Sequence, residues 1–492
     1  MTIHDSLDSL DEVEAVLGPI PRGPVIGGEV LTGLSTFDVV DPGTERSLAT
    51  LSVSSRDDAL RAVDVARESM EDWSAASPRR RSDVLRRAYE LMTQRADSLA
   101  RLVVLENGKA LPDARSEITY AAEFLRWYSE EAVRLEGSLS RAPEGENNIV
   151  VRRRPIGVSY LITPWNFPAA MATRKLGPAL AAGCSVILKP ASETPLTALA
   201  IVEILREAGA PDGVVNLILT EQPHDISAAL LDHPDVRKVS FTGSTAVGRV
   251  LLGHAARTVV SSAMELGGNA PFLVLADADL DEAVAGAMVA KLRNGGSACT
   301  AANRFLVHAS IADEFTQRFA AAMRALHVGH GLTEGTQIGP LVNGKTRDKV
   351  ADLVSGALDQ GGSVVVGGGS PAGAGYFYLP TVLGSVPPDA AILDEEIFGP
   401  VAPVVSFEDL DEAVASANGT ESGLAAYVYS RDLRAGLQVS ERLDCGMVGL
   451  NRPAVSDPAA PFGGTKQSGL GREGGHDGLL EFTESKYIAV DW

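Results

Sequence analysis

Short apolar runs alternate with helix-like stretches through the middle of the chain, and this alternation limits the folds that are open to it. Between residues 155 and 275 the segments are strand-like at 157–162, 185–189, 214–218 and 238–241, and helix-like at 173–182 and 196–208. Such alternation predicts crossover units on a parallel sheet. A second series of the same kind begins near Glu265, so we expect an α/β protein with two lobes.

The length and charge of the chain exclude several classes of protein. A chain of 492 residues is too long for one hydrophobic core, and its length predicts about two to three domains. Lys and Arg total 43 against 64 Asp and Glu, a net charge of −21, which argues against nucleic acid or an anionic membrane as a partner. The sequence contains no apolar run of about 18 residues that could span a bilayer.

No two of the three cysteines, Cys184, Cys299 and Cys445, have a Cys-x-x-Cys spacing. Their number is odd, so a framework in which every cysteine is paired in a disulfide is not expected. We therefore expect no metal site and a reducing compartment. Residues 1–17 carry five acids and no Lys or Arg, unlike a signal peptide, and this favours the cytoplasm.

The first third of the chain divides into regions of different character. Gly and Pro cluster between residues 18 and 33, so we expect residues 1–35 to be irregular. Ser55 is a residue type that caps helices, and from there to about Glu136 the apolar residues recur at helical spacing. Residues 149–154 are typical of a strand with a basic end.

Cys299 and Glu265 are the residue types that covalent attack on a carbonyl requires. Cys299 stands among small residues and glycines in the run 293–300, 34 positions after Glu265. A thiol can act as the nucleophile and a carboxylate as its base. Taken alone, such a cysteine is more often a buried apolar side chain and such a glutamate a solvated charge, so both interpretations stay open at this point.

Four further features fit a nucleotide or an oxyanion, each with a structural alternative. Residues 241–248 lead from a strand into a helix-like stretch through a glycine turn, which can bind phosphate but is also common. Lys189 ends a predicted strand. It can bind a ligand there, because open sheets bind ligands at the carboxyl ends of their strands, or it can be an ordinary surface lysine. Glu396 either stays solvated or turns toward ribose hydroxyls. Asn166 can donate to a developing oxyanion or satisfy its own turn.

Seven motifs, in order along the chain, make it resemble the aldehyde dehydrogenase superfamily over about residues 35–490. They are Pro-Trp-Asn-Phe-Pro at 164–168, Lys-Pro at 189–190, Phe-Thr-Gly-Ser at 241–244, Glu-Leu-Gly-Gly at 265–268, Cys299, Glu-Ile-Phe-Gly-Pro at 396–400 and Pro-Phe-Gly-Gly at 461–464. The resemblance implies an α/β fold of two Rossmann-type parallel-sheet lobes with a β oligomerisation arm. The domains it implies are cofactor-binding at 1–137 and 155–264, catalytic at 265–462, and arm with C-terminal strand at 138–154 and 463–492.

The resemblance also implies a mechanism. Cys299 is the nucleophile that attacks the aldehyde carbon to form a thiohemiacetal, and Glu265 is the general base. Asn166 and the backbone N–H of Cys299 form the oxyanion hole. Hydride passes to the nicotinamide cofactor, and water hydrolyses the thioester that remains. A free thiol has a pKa of about 8.5, so a neighbouring base or positive charge must raise the thiolate fraction.

Several residues match the family's cofactor site. Lys189 and Glu396 match the residues that hold the two ribose groups, and the remaining cofactor residues are Thr163, Pro164, Trp165, Ser192, Gly243, Ser244, Gly248, Leu266 and Phe398. NAD-preferring relatives often have Glu where this chain has Ser192, and a serine can donate to a 2′-phosphate that a carboxylate would repel. We therefore expect NADP to be preferred and NAD to be usable, although Glu193, one position on, could also lie near the ribose.

Within the superfamily the chain is most similar to succinate-semialdehyde dehydrogenases. The similarity lies in residues 166–175, in Arg293 and in Ser456. In that subfamily the residues that match Arg174, Arg293 and Ser456 bind the far carboxylate of the substrate, for which guanidinium and hydroxyl donors are well suited. If Asp457 pointed inward, it would disfavour an anionic substrate.

The sequence leaves three alternatives open. They are a dehydrogenase for glutarate semialdehyde or an aromatic aldehyde, a thiol esterase without a redox role, and a nonenzymatic protein that kept the fold. The nucleotide residues argue against an esterase, and the intact catalytic residues argue against a nonenzymatic protein. Segments 141–154 and 482–492 match the family's arm and the strand that it meets. They predict a homodimer or homotetramer, because a long arm would otherwise expose unpaired strand edges.

Overall fold

The computed structural model describes residues 6–33 and 35–492 of the chain. Residues 1–5, which belong to the segment predicted to be irregular, lie outside the described residues. Within the described ranges the helices are α1 (Ser6–Leu17), α2 (Arg56–Ala75), α3 (Pro78–Gln94), α4 (Ala96–Asn107), α5 (Leu111–Glu131), α6 (Pro168–Ala182), α7 (Pro195–Glu207), α8 (Pro223–Leu231), α9 (Thr245–Thr258), α10 (Leu280–Leu292), α11 (Ala309–Arg324), α12 (Gly344–Asp359), α13 (Leu410–Asn418), α14 (Leu433–Arg442) and α15 (Gly475–Leu480).

The strands of the same ranges belong to two large sheets and three small ones. They are β1 (Val25–Ile26), β2 (Glu29–Val30), β3 (Thr36–Asp41), β4 (Arg46–Ser52), β5 (Ser138–Arg141), β6 (Asn148–Pro155), β7 (Val158–Ile162), β8 (Val186–Lys189), β9 (Val215–Leu217), β10 (Val236–Thr242), β11 (Ser261–Glu265), β12 (Ala270–Val274), β13 (Ala302–His308), β14 (Ser363–Val366), β15 (Thr381–Gly384), β16 (Val401–Phe407), β17 (Ser422–Gly423), β18 (Ala425–Tyr429), β19 (Met447–Leu450), β20 (Thr465–Lys466), β21 (Gly469–Leu470) and β22 (Thr483–Val490).

The first large sheet has the order β2-β1-β9-β8-β7-β10-β11-β21 in the described part of the chain. Its five central strands are parallel, and the pairs at its two edges are antiparallel. Helices α6 to α9 each connect two successive parallel strands. Every residue of β7 and β8 is buried, which is typical of a parallel sheet that is covered on both faces.

The second large sheet has the order β14-β15-β16-β13-β12-β18-β19 and is parallel except for the pair β14–β15. Its core contains stacked aromatic rings, among them Phe272 and Tyr429 with centroids 4.9 Å apart. Two sheets with parallel centres and crossover helices confirm the predicted α/β fold of two Rossmann-type lobes. The residue boundaries of the three domains stay a prediction.

The predicted arm is a three-stranded antiparallel sheet in the order β22-β6-β5. β22 pairs with β6 along its whole length, from Thr483 opposite Pro155 to Val490 opposite Asn148. All four residues of β5 are exposed. The C-terminal segment and the arm are therefore partners within one chain, and the outer strand presents an open edge.

Two predictions of local structure were wrong and one was confirmed. Residues 6–17 form α1 rather than an irregular segment, and its Leu10 and Val13, at helical spacing, are buried in the core. α6 begins at Pro168 rather than at Thr173, because proline suits the first helical position, where no N–H is needed. Ser55 does cap α2, since its Oγ accepts the N–H of the third helical residue at 3.1 Å.

One edge of the first sheet positions the functional residues. The parallel strands β7, β8, β10 and β11 all end there, and their last residues are neighbours. Ile162 pairs with Lys189, and Thr242 pairs with Glu265. Ligands of open α/β sheets bind outside the carboxyl ends of the strands, so this edge is the expected site.

Candidate active site

The second sheet brings the start of two strands to the same place. β12 begins at Ala270 and β13 at Ala302, and these two residues are paired. Gly268 and Cys299 stand just before these strands, and a Cβ on Gly268 would collide with the carbonyl oxygen of Cys299. Only glycine permits this close approach, so the spacing of the two backbone segments here depends on Gly268.

The turn at 293–296 determines where Cys299 stands. Asn294 has a left-handed φ of 55°, which asparagine tolerates better than most residues. Its backbone N–H donates to Asp113 Oδ2 at 2.9 Å, and its Nδ2 donates to the carbonyl oxygen of Ser297 at 3.1 Å. These bonds hold the segment that leads to the cysteine from two sides.

Cys299 and Glu265 line one cavity of about 250 Å³. The residues predicted for the site that share this lining are Pro164, Trp165, Asn166, Arg174, Gly243, Ser244, Leu266, Arg293, Glu396, Phe398 and Ser456. All the predicted catalytic and substrate residues therefore come together, although they lie on both lobes and far apart in the sequence.

The other predicted residues stand outside the lining of this cavity: Thr163, Lys189, Ser192 and Gly248. The N–H of Thr163 donates to the carbonyl oxygen of Lys189 at 3.1 Å, which ties the ends of β7 and β8 together. Ser192 is exposed, and its Oγ is 3.5 Å from Glu193 Oε2. Gly248 lies inside α9, where a Cβ would collide with Leu266, so its contribution is close packing.

Glu265 is a buried carboxyl with an oxygen that nothing uses. Its Oε2 has no hydrogen-bond partner, and the residue is 3 % exposed. Burial raises the pKa of Glu265 well above its usual range, and the nearby charge of Glu473 raises it further, against Lys175 and Arg174, which lower it. A raised pKa makes a carboxylate a stronger base, which suits Glu265 to accept a proton.

The Cys299 thiol is neutral in its resting environment. Burial raises its pKa to about 12, and the guanidinium of Arg174 only partly opposes this effect. A thiol with this pKa must lose its proton to a base as it attacks. Glu265, on the lining of the same cavity, has the raised pKa and the free oxygen that this task requires.

Asn166 has a spare donor beside the cysteine. Its Nδ2 donates to the carbonyl oxygen of Ser297 at 3.1 Å, and its Oδ1 has no partner. A side-chain amide carries two N–H groups, so one of them stays available for an oxygen in the cavity.

Arg174 is a buried cation with unused donors. It is 2 % exposed, and its Nη2 donates to the hydroxyl of Tyr120 at 2.6 Å. Its Nε and Nη1 have no hydrogen-bond partner, although Nη1 is 3.5 Å from a carboxylate oxygen of Glu473. The guanidinium also lies 4.1 Å from the ring centre of Phe462. A buried donor without a partner is costly, so Nε, which has none among the described residues, is suited to receive an acceptor from the cavity.

A second guanidinium and a hydroxyl complete this side of the cavity. Arg293 lies over the rings of Tyr120 and Phe167, with 5.5 Å and 5.0 Å to their centres. Ser456 lies on the lining of the cavity. Asp457 is exposed and accepts the N–H of Ala459 at 2.9 Å, so its carboxylate caps its own turn and leaves the cavity free of its charge.

Two groups predicted for the cofactor have hydrogen-bonding capacity to spare. Lys189 is buried, donates at 3.1 Å to the carbonyl oxygen of Pro190, and has a pKa that burial lowers to about 8. Glu396 accepts the N–H of Gly268 at 3.0 Å through one oxygen, and burial raises its pKa to about 7. The rings of Trp165 and Phe398 meet edge to face with centres 5.3 Å apart.

The sequence interpretation missed two kinds of site residue. The cavity is also lined by Phe167, Met171 and Phe462, which lie within quoted segments but had no assigned role, and by Tyr120, Thr346 and Lys349, which lie in no motif. The buried pair Lys175 and Glu473 affects Glu265 through its charges, but only Lys175, next to Arg174, gave any signal in the sequence. The helical periodicity of α5 could have pointed to Tyr120. It lies on α5, which packs against α6, and its hydroxyl accepts from Arg174 on α6.

Comparison with known proteins agrees with this geometry. The family model described as the aldehyde dehydrogenase family matches residues 31–488. A succinate-semialdehyde dehydrogenase of Paenarthrobacter nicotinovorans is 53 % identical over 90 % of this chain and 98 % of its own. A glutarate-semialdehyde dehydrogenase of Pseudomonas putida is 45 % identical over 92 % of this chain and 94 % of its own.

The fold comparison gives the same result. A crystal structure described as an E. coli NADP dependent enzyme superposes with a TM-score of 0.95 at 42 % identity and covers 100 % of both chains. Within the described residues, no helix is both long and apolar enough to cross a membrane. The predicted fold and the predicted resemblance are confirmed, and the chain belongs to the aldehyde dehydrogenase family, which uses NAD(P).

Proposed function

We propose that this protein oxidises succinate semialdehyde to succinate. The observation that carries the proposal is Arg174, a buried guanidinium on the cavity of Cys299: among the described residues its Nε has no hydrogen-bond partner, and its Nη1 makes only a 3.5 Å ion pair with Glu473. A short aldehyde with a carboxylate at its far end would satisfy those donors while its carbonyl reached the thiol. Arg293 and Ser456 on the same lining support an anionic substrate. The relative named succinate-semialdehyde dehydrogenase supports this choice.

The chemistry follows from the residues on the cavity. Glu265 takes the proton of the Cys299 thiol, and the sulfur attacks the aldehyde carbon to give a thiohemiacetal. The free N–H of Asn166 and the backbone N–H of Cys299 stabilise the charge that develops on the oxygen. The nicotinamide, when bound, supplies the chemistry of hydride acceptance. Loss of hydride from the thiohemiacetal carbon would leave a thioester. Glu265, after it has released the thiol proton to solvent, takes a proton from the water that attacks this thioester, and the acid leaves as the Cys299 thiolate is released.

The groups around the strand ends fit a dinucleotide. Lys189 and Glu396 each have unused hydrogen-bonding capacity for ribose hydroxyls. Gly243 and Ser244 lie on the cavity lining at the N-terminus of α9, where the helix dipole favours phosphate. The remaining predicted contacts, proposed in the same way, are those of Thr163, Pro164, Trp165, Gly248, Leu266 and Phe398.

NADP is the preferred cofactor in this proposal, and NAD is usable. Ser192 is exposed and its hydroxyl makes only a long contact, so it is available to a 2′-phosphate. Glu193 is engaged elsewhere, because its Oε1 accepts from Asn343 Nδ2 at 3.4 Å. Its other oxygen, Oε2, is 3.5 Å from Ser192 Oγ, so the carboxylate lies beside this hydroxyl and the support for NADP comes from Ser192 itself. A solved relative is described as NADP dependent.

Glutarate semialdehyde is the second candidate substrate. It differs from succinate semialdehyde by one methylene, and such a difference changes specificity by only about 10- to 200-fold in an apolar pocket. A relative of 45 % identity is named for it.

The protein is a homodimer or homotetramer in this proposal. β5 is exposed along its length, and on the same sheet Leu139, Tyr487 and Ile488 are exposed apolar residues. Such an edge in a lone chain would invite uncontrolled strand pairing. A monomeric mass in light scattering would contradict the assembly. We also propose a cytoplasmic location, because Cys184, Cys299 and Cys445 are free thiols, the state that a reducing compartment maintains.

A steady-state substrate panel with NAD and with NADP tests the proposed function. We expect the highest kcat/KM for succinate semialdehyde with NADP, a lower value for glutarate semialdehyde, and much lower values for butanal and benzaldehyde. A higher kcat/KM for either uncharged aldehyde would contradict the carboxylate site. A higher value with NAD would contradict the cofactor preference alone and leave the substrate intact.

A further inference from the structure

A fully buried ion pair lies directly beneath the loop that carries Asn166. Lys109 Nζ is 2.5 Å from Glu117 Oε2, and both side chains are 0 % exposed. The same Nζ donates to the carbonyl oxygen of Asn166 at 2.7 Å and lies 4.2 Å from the ring centre of Phe167. Two of the three N–H donors of the ammonium group therefore have strong acceptors. One acceptor is the Glu117 carboxylate, and the other is the carbonyl oxygen of Asn166, which lines the cavity.

Glu117 holds the start of α6 in the same arrangement. Its Oε1 accepts the N–H groups of Ala169 and Ala170 at 2.8 Å and 3.3 Å, in the first turn of the helix. A carboxylate satisfies these end groups and interacts well with the positive end of the helix dipole. α6 also carries Arg174. Lys109 of the ion pair therefore contacts the peptide of Asn166, and Glu117 contacts the helix that positions the Arg174 guanidinium.

A second donor meets the same carbonyl from the nucleophile loop. Asn294 Nδ2 donates to the carbonyl oxygen of Asn166 at 2.6 Å. Asp113, one helical turn before Glu117 on α5, accepts the backbone N–H of Asn294 at 2.9 Å. One face of α5 thus reaches both the loop of Asn166 and the turn that precedes Cys299.

Stability alone is a weak reason for such a pair. Burying two charges costs about as much as their attraction returns, and apolar replacements of buried pairs are often neutral or stabilising. A polar network that is fully satisfied does restrict its surroundings to one arrangement. The ammonium group of Lys109 donates to the carbonyl oxygen of Asn166, and an apolar side chain at this position could not replace that hydrogen bond.

We propose that Lys109, paired with Glu117, is a positioning residue that holds the peptide of Asn166 so that its side-chain amide faces the carbonyl of the substrate. The proposal rests on the proposed role of Asn166 in the oxyanion hole. It predicts that loss of the pair slows the step in which charge develops on the aldehyde oxygen and leaves cofactor binding unchanged.

A double-mutant cycle on the full-length enzyme tests the proposal. Lys109→Met with Glu117→Gln removes both charges at similar volume, and the glutamine can still accept the N–H of Ala169. We expect kcat to fall by about 10- to 100-fold in the natural background, as a displaced oxyanion donor would cause. In the Asn166→Ala background the same pair of changes should lower kcat by less than about 3-fold, because the group through which it acts is gone.

A matched control separates positioning from general damage. Lys238 and Glu481 form another ion pair, with 2.6 Å between Nζ and Oε2 and a lysine side chain that is 1 % exposed, and neither residue lines the cavity. Lys238→Met with Glu481→Gln should shift the thermal midpoint and leave kcat unchanged. NADPH binding, followed by fluorescence, should be unchanged in both pairs.

The outcomes are distinguishable. An equal loss of kcat in both backgrounds, or no loss in either, overturns the positioning role of Lys109. If Asn166→Ala alone leaves kcat unchanged, the proposed oxyanion role itself fails. If the neutral pair does not fold, Lys109→Arg keeps the charge beside Glu117 but replaces the compact ammonium group. It should lower kcat by at least about 5-fold in the natural background and by much less with Asn166→Ala, and full activity of Lys109→Arg would overturn the proposal.

Discussion

Lys175 Nζ and Glu473 Oε1 lie 2.5 Å apart in a buried ion pair, although the two residues are 298 positions apart in the chain. The pair is part of the environment of Glu265, whose pKa the charge of Glu473 raises and that of Lys175 lowers. Attraction by Lys175 and Arg174 outweighs burial for Glu473 itself, so the pKa of Glu473 is lowered. The environment therefore favours the ionised form of Glu473 and the protonated form of Glu265.

The raised pKa of Glu265 predicts a stability difference that depends on pH. Below the ordinary pKa of a glutamate both the folded and the unfolded chain are protonated there, and the stabilising effect of the raised pKa is fully present. As the pH rises through the folded pKa, the natural protein loses this contribution, whereas Glu265→Gln has none to lose. The thermal midpoint of Glu265→Gln relative to the natural protein should therefore rise as the pH is raised from about 5, just above the ordinary pKa of a glutamate. A difference that stayed constant or fell would contradict the raised pKa.

Cys299→Ala should remove aldehyde oxidation while the fold is kept. We expect kcat to fall by about 1,000-fold or more, because Cys299 supplies the one thiol among the described residues that line the cavity. Cys445→Ala is the matched control, since this half-buried thiol donates to the carbonyl oxygen of Met447 and does not line the cavity. Formation of NAD(P)H at a normal rate by Cys299→Ala would exclude the covalent mechanism.

Arg293→Ala should discriminate between substrates. The guanidinium lies over the rings of Tyr120 and Phe167. Burial raises the pKa of Asp113 and the charge of Arg293 lowers it, and Asp113 keeps the N–H of Asn294 as a partner when Arg293 is removed. We expect kcat/KM for succinate semialdehyde to fall by about 10- to 100-fold, the value of a charged hydrogen bond, and that for butanal to change by less than about 3-fold. Arg318→Ala, an exposed change on α11, is the control. Equal losses for the two aldehydes would argue against a carboxylate contact at this position.

Ser192→Glu should shift the cofactor preference toward NAD. A carboxylate at this position would repel the 2′-phosphate of NADP and could hold the 2′-hydroxyl of NAD. We expect kcat/KM for NADP to fall by about 10- to 100-fold and that for NAD to change little. Ser192→Ala, measured in parallel, shows how much of the effect is loss of the hydroxyl. An unchanged ratio of NADP to NAD in the glutamate variant would mean that residue 192 does not face the phosphate.

Affinity for NADP should weaken at alkaline pH through Lys189. Burial lowers the pKa of Lys189 to about 8, so the free enzyme loses this positive charge as the pH rises through that value. KM for NADP should therefore rise above about pH 8 more steeply than KM for NAD, whose ribose carries no phosphate. Lys189→Arg keeps its charge at these pH values and should flatten the profile. Parallel profiles for the two cofactors would mean that the charge of Lys189, proposed to hold ribose hydroxyls, does not act on the neighbouring 2′-phosphate.

Much of the site was predictable because its parts follow the ends of strands. Asn166, Lys189 and Glu265 come directly after or at the end of apolar runs, and the carboxyl ends of neighbouring parallel strands meet at one edge. Short motifs with glycine and proline mark these turns in the sequence. The prediction that Cys299 and Glu265 share a site with Arg174 and Arg293 follows from this logic, and the cavity contains all four.

Other features depended on contacts that no local pattern encodes. Glu473 meets Lys175 only through the packing of α15 and the segment before it against α6. The direction of the Asp457 side chain became clear only from the turn in which its carboxylate accepts the N–H of Ala459. α1 was hidden by the neighbouring glycines and prolines, and its burial of Leu10 and Val13 became clear only in the folded chain.

By itself the sequence determined the α/β class, the order of the strands along the chain and the identity of the reactive groups, because hydrophobic periodicity and motif chemistry are local properties. Only the tertiary structure decided the protonation of those groups and their partners. The pKa of Glu265 depends on burial and on the charge of Glu473, and the position of Asn166 depends on the pair of Lys109 and Glu117. Desolvation and charge interaction act through space, so residues distant in the chain set them.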